Sequence, residues 1–272
     1  MIDFHGLPAI RWESADGASA VATLQGAHLV SWIPAGGKEQ LYVSERSPFA
    51  AGRAIRGGVP VVFPQFGERG PLAHHGFART SRWRVAREEG ARVRLALESS
   101  EETLLLWPHP FALELAIAIG GARLEMELHV RNAGAAAFGF NAALHTYLRI
   151  SDNSSVRLEG LKGGRYVDRG AAATQVESRD AVTAAEPIDR VYLAPPPATR
   201  LVDGARRIGI AQRGFPDTVV WNPGRERTAG MADMPPEGYR RMLCVEAAAF
   251  EHAIAVPPGG AWIGAQAIEV EQ

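Results

Sequence analysis

Cysteine is all but missing from this chain: its 272 residues hold one, Cys244. A lone thiol forms no intrachain disulfide and supplies no zinc cluster, so Cys244 reads as a small buried apolar residue. An excess of one charge is missing too. Lys and Arg total 29 against 30 Asp and Glu, which argues against a general nucleic-acid or membrane-surface binder but leaves room for a local anion site. No apolar run reaches the ~18 residues of a membrane-spanning helix. No basic segment followed by an apolar stretch marks a secretory leader. A cytoplasmic protein is expected, with no nucleic-acid or membrane partner, as a monomer or weak homo-oligomer.

Catalytic signatures are equally scarce. The chain has no Gly-x-Ser-x-Gly nucleophile turn, no Walker loop and no dinucleotide Gly-x-Gly-x-x-Gly context. His74, His75, His109, His129 and His145 make no His-x-x-x-His pattern, so neither metal nor cofactor is expected. Fixed-period repeats and long amphipathic helices are absent; Glu101 to Leu106 reads as one short helical turn.

What is present is period-two alternation, the mark of strands with one buried face. Leu124, Met126, Leu128 and Val130 alternate with charged or titratable residues, and Phe111 to Ile119 repeats the pattern, joined to it by a hairpin turn at Gly120-Gly121. Val93 to Leu97 is a third such strand. Arg11–Glu13, Val21–Leu24, Leu29–Ile33, Val156–Glu159, Arg207–Gln212 and Ile263–Val270 are shorter candidates between Gly, Pro, Asn and Asp clusters. The stretch Arg169 to Glu186 and the run Pro195-Pro196-Pro197 read as loops. The fold class is therefore all-β, an antiparallel sandwich with few short helices, and residues 1–272 are expected to form one domain.

The most telling segment is Arg56-Gly57-Gly58-Val59-Pro60 through Gln65-Phe66-Gly67, followed by His75-Gly76-Phe77-Ala78-Arg79. Glycines and prolines rule out ordinary helix there and let the backbone approach a ligand closely. Among them stand Arg56, Gln65, His75 and Arg79, the groups needed to hold an anionic, hydroxyl-rich small molecule. His74 and His75 cannot share a pocket along an extended chain. His145, within the mostly apolar strand expected over Asn141 to Leu148, reads either as a core histidine satisfied by backbone or as a proton donor. Glu246 follows Met242 and Cys244 on one face of an apolar run, and either faces water or is a general base tuned by its surroundings. Asp189 is either half of a surface pair with Arg190 or an acceptor for sugar hydroxyls.

Together these blocks, with Leu144-His145-Thr146-Tyr147, Asp189-Arg190-Val191-Tyr192, Trp221-Asn222-Pro223 and Met242-Leu243-Cys244-Val245-Glu246, resemble the aldose 1-epimerase superfamily, in its glucose-6-phosphate 1-epimerase (hexose-6-phosphate mutarotase) branch. The resemblance implies a galactose-mutarotase-like β-sandwich that interconverts α and β anomers of a hexose 6-phosphate. It implies His145 as general acid, Glu246 as general base, His75 and Asp189 as sugar-binding residues, and Arg56 and Arg79 on the 6-phosphate. A non-phosphorylated aldose as substrate, and a non-catalytic carbohydrate-binding sandwich, are the alternatives. Ala247 departs from the proline common after the glutamate. Gly224 replaces a common aromatic after Pro223, which is expected to open the pocket rim.

Overall fold

A computed structural model describes residues 1–169, 171 and 173–271. The strong alternators build a nine-stranded antiparallel sheet at whose centre Arg206–Arg213, Ala261–Glu271, Arg123–Asn132, Phe111–Gly120 and Arg92–Glu98 lie side by side. Leu113, Leu115, Ile117, Leu124, Met126, Leu128 and Val130 all point to one side and are buried there. The hairpin between Phe111–Gly120 and Arg123–Asn132 turns through Gly121-Ala122, one residue later than the sequence suggested, with Gly121 at φ 55°.

Against this layer packs an eight-stranded sheet ordered Gln175–Val176, Arg165–Asp168, Ile188–Leu193, Asp217–Asn222, Met242–Val256, Phe138–Leu144 and Val61–Val62, with Tyr147–Arg149 also on Met242–Val256. A single core cluster takes Leu115, Leu128, Ile208 and Ile268 from the first sheet and Phe140, Val220, Leu243, Val245 and Ala247 from the second. This face-to-face burial is the principal apolar drive to the sandwich. A four-stranded sheet, Ile2–Phe4, Leu7–Glu13, Ser19–Thr23 and His28–Ile33, completes the β-structure.

Met242, Cys244 and Ala248 point the other way, into a second apolar cluster with Tyr42, Phe66, Tyr147 and Trp221. Met242 to Ala249 is therefore buried on both faces. Beyond it, Phe140 pairs with Ile254 while Ala142 pairs with Ala249, so residues 250–253 bulge out of register. Asn141 Nδ2 donates to the Ala249 and Phe250 carbonyls at 3.0 and 3.2 Å, and Asp217 Oδ2 accepts the Phe250 and Glu251 N–H groups at 2.9 Å. The bulge turns Phe250 edge-on to Phe66, ring centres 5.1 Å apart.

The short helix Glu101–Leu106 is capped reciprocally by Ser100 and Thr103. The stretch read as a loop from Arg169 holds strand pieces at Gln175–Val176 and Ala181–Thr183; residues 170 and 172 of it lie outside the described residues. No helix among the described residues is long and apolar enough to cross a membrane.

The chain at 75–76 is left-handed, with φ 68° at His75 and 70° at Gly76. A Cβ on Gly76 would lie 2.2 Å from the Phe63 carbonyl oxygen. Gly76→Ala is expected to lower stability by at least ~1–2 kcal/mol from backbone conformation alone; an unchanged melting curve would refute this turn.

Candidate active site

The sheet's register creates the site. Leu144 lies opposite Ala247 and Tyr147 opposite Cys244, so His145 stands directly across from Glu246. Side chains facing each other across an antiparallel pair share one face of the sheet. At His145 the ladder is interrupted: Thr146 N–H donates to the Leu144 carbonyl at 3.0 Å, a three-residue turn, while His145 N–H reaches the Pro60 carbonyl at 3.1 Å. The strand expected over Asn141–Leu148 is thus two strands, Phe138–Leu144 and Tyr147–Arg149, with the imidazole at the break. His145 Nδ1 approaches Glu246 Oε1 to 3.2 Å, but without hydrogen-bond alignment. Both His145 Nδ1 and Glu246 Oε2 are buried with no hydrogen-bond partner. The ring stacks on Tyr147 at 4.7 Å and 14° and meets His75 edge-on at 5.5 Å.

Burial decides the charges. It pushes the Glu246 carboxyl well above the usual carboxylate range, with Asp189 adding to the rise and Arg169 opposing it. It holds the His145 imidazole well below its usual range, helped by Arg56 and Arg79. A neutral carboxyl beside a neutral imidazole carries one dissociable proton for the pair, the same count as an imidazolium–carboxylate pair, so one transfer across 3.2 Å exchanges the two forms.

Neighbouring strands extend the same two rungs. Val219 lies opposite Glu246, Trp221 opposite Cys244, and Asp189 opposite Trp221, and Arg169 follows beside Asp189, donating its N–H to the Asp189 carbonyl at 2.8 Å. His145, Glu246, Val219, Trp221, Asp189 and Arg169 all line an inner chamber of about 180 Å3. Asp189 is no surface pair with Arg190. Its carboxylate sits 3.2 Å from Arg227 and 3.8 Å from Arg169, while Arg190 turns away to Asp168 and Glu177. Burial raises the Asp189 carboxyl, and the two arginines oppose that.

The loop from Arg56 to Arg79 closes the chamber. His75 Nδ1 accepts the Gly67 N–H at 3.0 Å, which assigns the ring proton to Nε2 and keeps a donor for a ligand. Burial and the neighbouring His145 keep His75 neutral. His74 and His75 both line the cavity, 4.1 Å apart; the exclusion based on an extended chain fails because His75 and Gly76 are left-handed. Arg56 lines the inner chamber and an adjoining outer one of about 400 Å3, where Arg53, Arg79, Tyr147 and Asp233 also lie. Arg56 donates from Nε to Asp233 Oδ2 at 3.1 Å and from Nη1 to the Tyr147 hydroxyl at 3.0 Å. Arg79 donates to the His74 carbonyl at 2.7 Å.

Gln65 does not fit the ligand-binding expectation. Its amide donates to the Gly67 and Leu72 carbonyls at 2.9 and 3.1 Å and accepts the Leu72 N–H at 2.9 Å. Both its donors are taken by its own loop, and it lines neither chamber. Gly224 does not open the rim: at φ 65° its Cβ would fall 2.4 Å from Pro187 Cγ. Ala247 faces the core, away from the site. Arg169, Arg227 and Asp233 escaped the sequence reading. Arg169 follows the strand Arg165–Asp168, which pairs with Ile188–Leu193, a partnership that no local pattern shows, and nothing local marks Asp233.

Ligand atoms of His145, Cys244 and Glu246 lie within 4.8 Å of one another, the one such group among the described residues. Linear motifs miss it because the sheet pairing assembles it. The Cys244 thiol is held well above its usual range by burial and by Glu246, so it stays protonated and is a poor ligand.

The aldose 1-epimerase family model matches residues 8–269. The chain belongs to that family and is an isomerase of the epimerase, or mutarotase, class. Two proteins named "Putative glucose-6-phosphate 1-epimerase" resemble it: one from Cenchrus ciliaris at 36% identity, covering 95% of this chain and 83% of that protein, and one from Escherichia coli K12 at 38%, covering 83% and 78%. The crystal structure of a "putative mutarotase (YeaD)" from Salmonella typhimurium superposes with a TM-score of 0.89 at 33% identity, covering 97% of this chain and 90% of that one. A galactose mutarotase related enzyme from Lactobacillus acidophilus, 15% identical with 97% of each chain covered and a TM-score of 0.78, shares the fold.

The raised Glu246 carboxyl has a consequence for folding. Its stabilisation is complete below the ordinary value of 4.5 and is lost as pH rises toward the folded value. Glu246→Gln removes that slope, so the variant should melt at or above the wild-type temperature at pH 8, with a smaller advantage at pH 4. A variant more destabilised at pH 8 than at pH 4 would contradict the assignment.

Proposed function

We propose that this protein interconverts the α and β anomers of a hexose 6-phosphate by acid–base ring opening. The supporting observation is the His145–Glu246 pair at 3.2 Å, with its unpartnered atoms, beside a chamber where Arg53, Arg56 and Arg79 face the single carboxylate Asp233. The inner chamber of about 180 Å3 is smaller than the roughly 300–1,000 Å3 usual for a ligand site. A ligand that fills the site spans both chambers, with its ring on the sheet and its anion among the arginines. That chamber holds an excess of two positive charges, matched to a phosphate monoester of about −1.5 to −2 at neutral pH.

Glu246 acts as base and takes the C1 hydroxyl proton; His145 acts as acid and protonates the ring oxygen. The C1–O5 bond breaks as its electrons go to the protonated oxygen, and a carbonyl forms at C1. Rotation about C1–C2 presents the other carbonyl face, and the reverse transfers close the ring. Both oxygens sit on one carbon, so an acid and a base in near contact suit them. Sugar binding must first draw the pair into its imidazolium–carboxylate form, and each turnover returns one proton to the pair. Asp189 and His75 Nε2–H orient the ring hydroxyls. The whole chain acts as one domain in this reading, as a core cluster running from Ile10 to Ile268 supports.

Saturation-transfer NMR should show faster α–β exchange of glucose 6-phosphate with protein than without. Glu246→Gln should slow it by about 10²–10⁴-fold; near-normal rates in that variant would remove Glu246 as the base. Equal acceleration of glucose would point to a non-phosphorylated aldose, and sugar binding without exchange to a carbohydrate-binding protein. Arg79→Ala removes one charge-assisted contact of about 1.5–3 kcal/mol. It should raise KM for glucose 6-phosphate about 10- to 100-fold with a far smaller effect on glucose; parallel losses on both sugars would refute the phosphate assignment.

A further inference from the structure

A carboxylate is out of place in a chamber built to hold an anion, yet Asp233 lines this one. Its Oδ2 takes both the Nε and Nη2 sides of Arg56, at 3.1 and 3.0 Å. The pairing is fixed from behind. Ser44 donates its backbone N–H to the Arg56 carbonyl at 2.9 Å and its hydroxyl to the Asp233 carbonyl at 2.6 Å, so one residue clips both partners. Tyr147 receives the Nη1 group on the other side at 3.0 Å. Arg56 is thus held at three of its nitrogens, in an orientation that a side chain of such rotamer freedom would otherwise adopt only at a cost in entropy. Among the described residues Arg79 and Arg53 have no ion-pair partner within 4.0 Å, and the chamber's other titratable side chains, His74, His75 and Tyr147, are all held toward the neutral form.

We propose that Asp233 is a positioning and specificity-determining residue for the phosphate subsite: it aims Arg56 and at the same time limits the chamber's net charge to what a phosphate monoester dianion carries. The proposal rests on the hexose 6-phosphate reading. Its two roles oppose each other in their effect on anion affinity. As a charge, Asp233 repels the ligand; as a rail, it organises the guanidinium that grips the ligand. Substitutions separate them. Asp233→Asn keeps an oxygen to accept from Arg56 while removing the charge. Asp233→Ala removes charge and rail together, and the ordering of Arg56 must then be supplied on binding.

The test is isothermal titration of the wild-type protein, Asp233→Asn and Asp233→Ala with inorganic phosphate, together with KM and kcat for glucose 6-phosphate and glucose. Asp233→Asn should tighten phosphate about tenfold and lower KM for glucose 6-phosphate while shifting glucose much less, as removal of a like charge beside the anion demands. Asp233→Ala should fail to reproduce that gain. Equal effects of the two substitutions, weaker phosphate binding by Asp233→Asn, or equal shifts for both sugars would overturn the proposal, as would an absence of phosphate binding in all three proteins. The phosphate titration is read without turnover. The expected pattern in a protein that does not accelerate glucose 6-phosphate exchange would reject the proposed reaction and keep the subsite; exchange without that pattern would do the reverse.

Discussion

The site depends on one constraint, the register between the chain at 138–149 and the strand Met242–Val256. Side chains alternate faces along a strand, so a slip of a single residue would bury Glu246 in the main core and swing Val245 into the cavity. Several contacts hold the register at that point. Val245 N–H donates to the Thr146 carbonyl at 3.1 Å, and Gln266, from the other sheet, accepts from the Thr146 hydroxyl and donates to the Val245 carbonyl at 3.0 Å. The residues flanking the His–Glu pair are therefore tied to the opposite layer of the sandwich. The core side of the strand fixes the geometry, and the cavity side displays it.

Burial and charge are divided between the two chambers. On the sheet, where His145 and Glu246 are almost wholly enclosed, ionisation is suppressed on both groups and a single mobile proton remains. Toward the Arg56–Arg79 loop, guanidiniums dominate, and they cannot be neutralised by proton loss. Bond rearrangement and anchoring thus occupy different dielectric surroundings, joined through Arg56, His74 and His75, which border both chambers. Arg56 and Arg79 also help keep His145 unprotonated, so an anion bound among the arginines would relieve that pressure on the imidazole.

Much of this was legible in the sequence, for physical reasons. Strong alternation at 111–131 gave the central strands because the outer sheet is wet on one face. The same parity placed Met242, Cys244 and Glu246 together, and the structure keeps them on one side. Harder to see was whatever tertiary pairing assembles. His145 sits opposite Glu246 across 101 positions of chain, and Asp233 meets Arg56 at a separation of 177. The adjacent histidines were misjudged because pattern reasoning assumed an extended backbone where two left-handed residues occur. Gln65 carried a suitable side chain in a suitable loop; only a count of its hydrogen bonds shows that the loop itself consumes it.

The bulge at 250–253 has a bearing on how this fold tolerates change over generations. It lies beyond the paired stretch that carries Glu246, and Asn141 and Asp217 clamp its entrance. Extra residues gained there would lengthen a surface kink and leave the upstream ladder undisturbed, whereas one gained between Met242 and Glu246 would invert which side every later side chain faces. Natural variation in length should therefore collect after Ala249, and the few residues before it should be as fixed in spacing as in kind.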